Sequence, residues 1–189
     1  MRCCAFIAVL AVALVCGSHA TAGTRPRTWE GRYQASVETL ASAKSDADRF
    51  YGLREAAKAA FEVGRLDEAR RYADELLASA ERLPKDWYYG NAIHDGHMVL
   101  GRIALRAGAV QDARRELLAA GATPGSPQLD TFGPNMSLAR DLLQAGQAEV
   151  VIEYFQLCAK FWDHRDYLAQ WTSVIRSGGV PEFRANLVY

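Results

Sequence analysis

Three glycines stand at the same place in three similar stretches, and this internal repeat constrains the fold more than any other feature of the 189-residue chain. AAKAAFEVGRLDEARRYADELL around Gly64 aligns with LGRIALRAGAVQDARRELLAAG around Gly108 and with LARDLLQAGQAEVVIEYFQLCA around Gly146. Seven residues before each glycine is a small residue (Ala57, Gly101, Ala139), two after it is Leu66, Val110 or Ala148, and five after it is Ala69, Ala113 or Val151. Small side chains at fixed distances from a turn let two antiparallel helices approach closely. Such a pair cannot bury its apolar face alone, so the pairs must stack.

The hydrophobic spacing agrees. Leu66, Ala69, Ala73, Leu76, Leu77 and Ala80 form one helical stripe, Asp67 and Glu68 complement its positive N-terminus, and Pro84 ends it. Similar stripes recur to the end of the chain, runs of alternating β-branched residues are absent, and the pattern predicts about nine helices, the first over residues 29–43. Residues 121–134 (GATPGSPQLDTFGP), with three prolines and three glycines, cannot be helical throughout and form a long connection. It is expected to be an ordered strut packed through Leu129 and Phe132. After a helix near residues 165–176, Gly178 and Gly179 stop the pattern. Residues 181–189 read as an extended tail docked through Phe183, Leu187, Val188 and Tyr189.

At the repeated positions the chain resembles the tetratricopeptide repeat family. In the second unit Leu100, Gly101, Ala104, Gly108, Ala113 and Pro124 fall where that motif has its small and apolar positions. The resemblance covers roughly residues 50–160, with glycine spacings of 44 and 38 residues against a usual period of about 34. It implies an all-α, right-handed solenoid of about three helical hairpins with a C-terminal capping helix and the extended tail. It also implies that the first helix of each pair lines a concave groove, in which a peptide or protein segment lies.

Ahead of the repeats, CCAFIAVLAVALVC (residues 3–16) is apolar, follows Arg2 and leads into small residues. It is shorter than the roughly 20 residues that span a bilayer, and reads as a signal peptide over residues 1–22 with cleavage sites after Ala20 or Ala22. Residues 23–45 are then an N-terminal segment with the first helix, and residues 46–189 the helical-repeat domain. The expected location is periplasmic or secreted, with no stable membrane insertion after cleavage. Cys3, Cys4 and Cys16 leave with the peptide. Cys158 remains, on a stripe with Val151, Phe155 and Trp162 that would bury it as a small hydrophobe. With 22 basic against 22 acidic residues and a pI near 6.9, no global field draws nucleic acid or an anionic membrane.

Chemistry has few candidates. Glycine-rich phosphate loops, nucleophile elbows and HExxH are absent. His94-Asp95-x-His97 is the one local cluster, with His164 and Asp163 or Asp166 as distant candidates to complete a metal site. It is read as hydrogen bonding at a helix interface, with no metal, cofactor or catalytic residue assigned. Trp87, Tyr88 and Tyr89 point around more than one helical face, so at least one is partly exposed. The sharper pattern is basic: Lys58, Arg102 and Arg140 each stand six residues before a turn glycine, and Arg54 and Arg106 lie one helical turn from Lys58 and Arg102. Arginine forks suit carboxylates, so Arg54, Lys58, Arg102, Arg106 and Arg140 are expected to form a stripe on the groove that binds an acidic protein or peptide. The expected function is an exported interaction module or adaptor rather than an enzyme. Its alternatives are an envelope enzyme or metal-binding protein using His94 and His97, and a structural subunit of an envelope complex.

Overall fold

The repeated glycines set the backbone. In the computed structural model, which describes residues 28–187, Gly64, Gly108 and Gly146 adopt φ of 83°, 75° and 75°, a left-handed conformation open to glycine at little steric cost. After each, the next amide reaches back five residues: Arg65 N to Ala60 O at 2.8 Å, Ala109 N to Ala104 O and Gln147 N to Leu142 O at 2.9 Å. This closes the preceding helix and aims the chain into the next one.

The described residues form nine α-helices and no strands: α1 Trp29–Ala41, α2 Asp46–Glu62, α3 Leu66–Arg82, α4 Tyr89–Arg106, α5 Val110–Gly121, α6 Pro127–Phe132, α7 Ser137–Gln144, α8 Ala148–Cys158 and α9 Arg165–Arg176. Thr28, Ser45 and Ser126 cap α1, α2 and α6 with their hydroxyl oxygens, whereas the helices that follow the glycine turns start without a side-chain cap. Consecutive helices pack together from α1 through α5 and from α7 through α9; in addition α2 touches α4, α4 touches α7, and α5 touches both α7 and α8. Among the described residues no helix is long and apolar enough to cross a membrane.

Two apolar clusters fill the interior. One joins α1, α2, α3 and one side of α4, through residues such as Phe50, Leu53, Leu76 and Val99. The other joins α5, α7, α8, α9 and Phe183 with Met98 and Ala104 of α4. Val151, Phe155 and Cys158 are buried together as their spacing predicts, and Trp162 joins them from beyond the end of α8.

The connection over residues 121–134 carries the short α6 and is tied to the start of α4. Thr123 donates to the Gly90 carbonyl at 2.8 Å, Ser126 donates to Asn91, and a Cβ on Gly90 would lie 1.7 Å from the Gly125 carbonyl oxygen. Leu129 is buried as expected, but Phe132 is 73% exposed. The connection is held by polar bonds and by Leu129, and Phe132 faces outward. The tail is not extended throughout: Arg184–Leu187 form a 3-10 turn, with Asn186 bonded to Pro134 and Met136 and Phe183 buried against Trp171. The expected signal peptide over residues 1–22, with Cys3, Cys4 and Cys16, and the tail residues Val188 and Tyr189 lie outside the described residues.

Candidate functional site

The side chains expected to bind a partner lie along α2, α4 and α7. Arg54 and Lys58, one turn apart on α2, converge on Asp95 of α4: Lys58 Nζ lies 3.0 Å from Oδ2, and Arg54 Nε donates to the same oxygen. Arg102 of α4 bridges its neighbours, donating to Glu62 of α2 at 2.7 Å and to Asp141 of α7 at 2.9 Å. Arg106 lies 3.8 Å over the Phe61 ring and donates to its carbonyl, and Arg140 pairs with the adjacent Asp141. The basic stripe read from spacing is therefore interleaved with acids, so that positive and negative charge alternate across successive helices. Lys58 and Arg102 are buried within this ladder, whereas Arg106 is exposed and Arg54 and Arg140 are partly so.

Asp95 is the hub. Its Oδ1 faces His94 Nδ1 at 3.0 Å, and His94 Nε2 lies 3.1 Å from the Tyr154 hydroxyl, which also donates to the Asn135 carbonyl. Burial pushes the Asp95 carboxyl upward, but Arg54, then Lys58 and the His94 hydrogen bond, hold it well below the usual carboxylate range. An ionised Asp95 puts the imidazole proton on Nδ1, so Nε2 is an acceptor and the single Tyr154 proton serves two acceptors. Burial pulls the Lys58 ammonium down to about 7 against the attraction of Asp95, and likewise lowers His94.

A cavity of about 250 Å³ opens beside this hub, floored by Arg54, Lys58 and Asp95 and closed over by Leu129, Pro134 and Asn186. Its wall includes Asn135, whose Oδ1 accepts from the Ser137 amide and hydroxyl, and whose Nδ2 is buried without an acceptor among the described residues. The long connection and the tail thus cover this part of α2 and α4.

The histidines do not assemble. His94 turns to α8, His97 bonds Glu116 of α5 at 2.7 Å, and His164 sits among the rings of Trp162 and Tyr167. Among the described residues no three His, Cys, Asp or Glu side chains stand close enough to hold a metal ion. Tyr88 is buried against Phe50 while Trp87 is exposed, but both lie in the turn before α4 rather than at the helical positions expected of them.

Sequence spacing located the basic residues and His94-Asp95 but not the acids that meet them. Arg54 and Asp95 are 41 residues apart, and Arg102 lies 40 and 39 from Glu62 and Asp141. One signal was available: a lysine amid the apolar run AAKAAF sits too deep to lack an acid. No protein-family model matches the chain, and neither the curated proteins nor the solved structures yield a match.

Proposed function

We propose that the chain is an exported, tetratricopeptide-like solenoid of three helical hairpins that acts as a binding module or adaptor. It holds an acidic peptide or protein segment against the face made by its first helices. One observation carries this reading: α2, α4 and α7, the first helices of the three glycine-turn pairs, neighbour one another in order, while the second helices α5 and α8 neighbour each other. Stacked hairpins with all first helices on one side have this adjacency.

Within the reading the basic residues divide their work. Lys58 and Arg102 neutralise Asp95, Glu62 and Asp141 and hold the helices in register. Arg54 joins Lys58 at Asp95 beneath the connection, while Arg106 and Arg140 keep guanidinium surface for the partner, where bidentate pairing favours carboxylates. Titration of acidic peptides into 15N-labelled protein tests it. Shifts are expected to cluster on α2, α4 and α7, and Arg106→Gln/Arg140→Gln should weaken binding at low salt. Shifts confined to α3, α5 and α8, or no binding by any acidic peptide, would overturn it. Export has its own check: the protein isolated from the cell envelope should begin at Thr21 or Gly23.

A further inference from the structure

Outside the repeats, the capping helix α9, the end of α6 and the tail enclose a cavity of about 740 Å³, within the range of about 300–1,000 Å³ common for small-ligand sites. Its floor is a block of rings. Trp162 and Tyr167 stack at 6.2 Å with planes 15° apart, and Tyr167 stacks on Trp171 at 6.1 Å and 25°. Trp171 and Phe183 belong to the core, but Tyr167 is 44% exposed and Phe132, which also lines the cavity, is 73% exposed. Phe132 in particular leaves most of its ring to solvent.

The polar groups are equally specific. Trp162 is buried, and its indole N–H finds no acceptor among the described residues. At the rim, Gln170, Glu182 and Arg184 are exposed, and their side chains make no hydrogen bond or ion pair among those residues. The cavity therefore offers two ring faces and a rim with donors and acceptors whose charges cancel.

A purely apolar ligand would strip water from the rim groups and give them no partner in return. A charged ligand of either sign would meet its like on the rim. A neutral polyol with flat C–H faces satisfies all of these groups. We propose that this cavity binds a glycan, with pyranose rings against Tyr167 and Phe132 and hydroxyls bonded to the rim, beside Trp162. The site is separate from the helix groove and does not depend on what that groove binds.

The test titrates β-1,4-linked tetrasaccharides of N-acetylglucosamine and of glucose, and a neutral Phe- and Leu-containing tetrapeptide, into 15N-labelled full-length protein. The Trp162 indole N–H signal, assigned by its loss in Trp162→Phe, is expected to move with a saccharide. Phe132→Ala should weaken saccharide binding at least tenfold with an unchanged melting temperature, because its ring supports nothing beneath it. Tyr167→Ala should weaken saccharide binding too, at some cost in stability because the ring stacks on Trp162 and Trp171, while Trp87→Ala, which removes an exposed ring elsewhere, should leave affinity unchanged. If no saccharide moves the Trp162 signal at millimolar concentration, if the peptide binds here and the saccharides do not, or if Phe132→Ala binds as tightly as the wild type, the proposal is overturned.

Discussion

Asp95 accepts from Arg54, Lys58 and His94, so removing its carboxylate leaves the Arg54 guanidinium and the buried Lys58 amine facing each other without their counter-ion. Asp95→Ala should cost about 3–5 kcal/mol, read from urea unfolding, because breaking a buried pair strands its partners. The sign of the pH dependence differs between the two partners. The folded carboxyl is held below its unfolded value, so its contribution is complete above about pH 4 and is lost as pH falls further. The folded Lys58 amine is lowered to about 7, against about 10.4 unfolded. Between these values the folded state binds fewer protons than the unfolded one, and stability rises with pH. Wild type should therefore gain on Lys58→Met as pH goes from 7 to 10; an unchanged difference would remove the assignment. Cys158 is fully buried and its thiol is pushed up by that burial, so a thiol reagent should label it slowly in native protein and completely in denaturant. Fast native labelling would show that the α8 face opens.

At the scale of elements, close approach decides which substitutions the helices tolerate. A Cβ on Gly101 would lie 2.3 Å from Leu138 Cδ2 and 2.9 Å from Glu116 Cβ, so Gly101 is where α4 meets both α5 and α7. Gly101→Leu should lose at least about 1–3 kcal/mol by overpacking, while the exposed Gln111→Ala changes little; equal melting temperatures for Gly101→Leu and wild type would undo the packing argument. This contact was legible in the sequence because a small residue seven positions before a turn glycine recurs with the repeat. The turns were legible for a related reason: a left-handed residue at the end of a helix calls for glycine whatever surrounds it. Gly90 was not legible. It is small because the Gly125 carbonyl passes over it, a contact 35 positions away that breaks the repeat and has no counterpart in the other pairs. The same limit explains Phe132. Composition predicted an ordered connection, but whether an aromatic faces inward or outward depends on how α6 lands, and Ser126 and Leu129 settle that through Asn91 and the core.

For the whole molecule, the consequential feature is that α4 belongs to both apolar clusters. Val99, Leu100 and Ile103 face the N-terminal one, and Met98 and Ala104 face the other. Between the clusters run the charged and hydrogen-bonded side chains of Lys58, Asp95, His94 and Tyr154, which link α2, α4 and α8. If α4 left the N-terminal cluster it would take Met98 and Ala104 out of the other and break the bonds to Tyr154, so neither half has a stable state of its own. Loss of stability at one end should therefore be felt at the other. Leu53 is fully buried in the N-terminal cluster, and Leu53→Ala should cost about 2–5 kcal/mol. In a Trp29→Phe/Trp87→Phe background the remaining indoles, Trp162 and Trp171, report only on the C-terminal cluster. Their fluorescence transition in urea should shift to lower concentration with Leu53→Ala by as much as the far-ultraviolet circular dichroism does, since a single cooperative unit has one midpoint for every probe. An indole transition that stays in place while the circular dichroism splits into two steps would show that the clusters unfold separately and that α4 frays from one without disturbing the other.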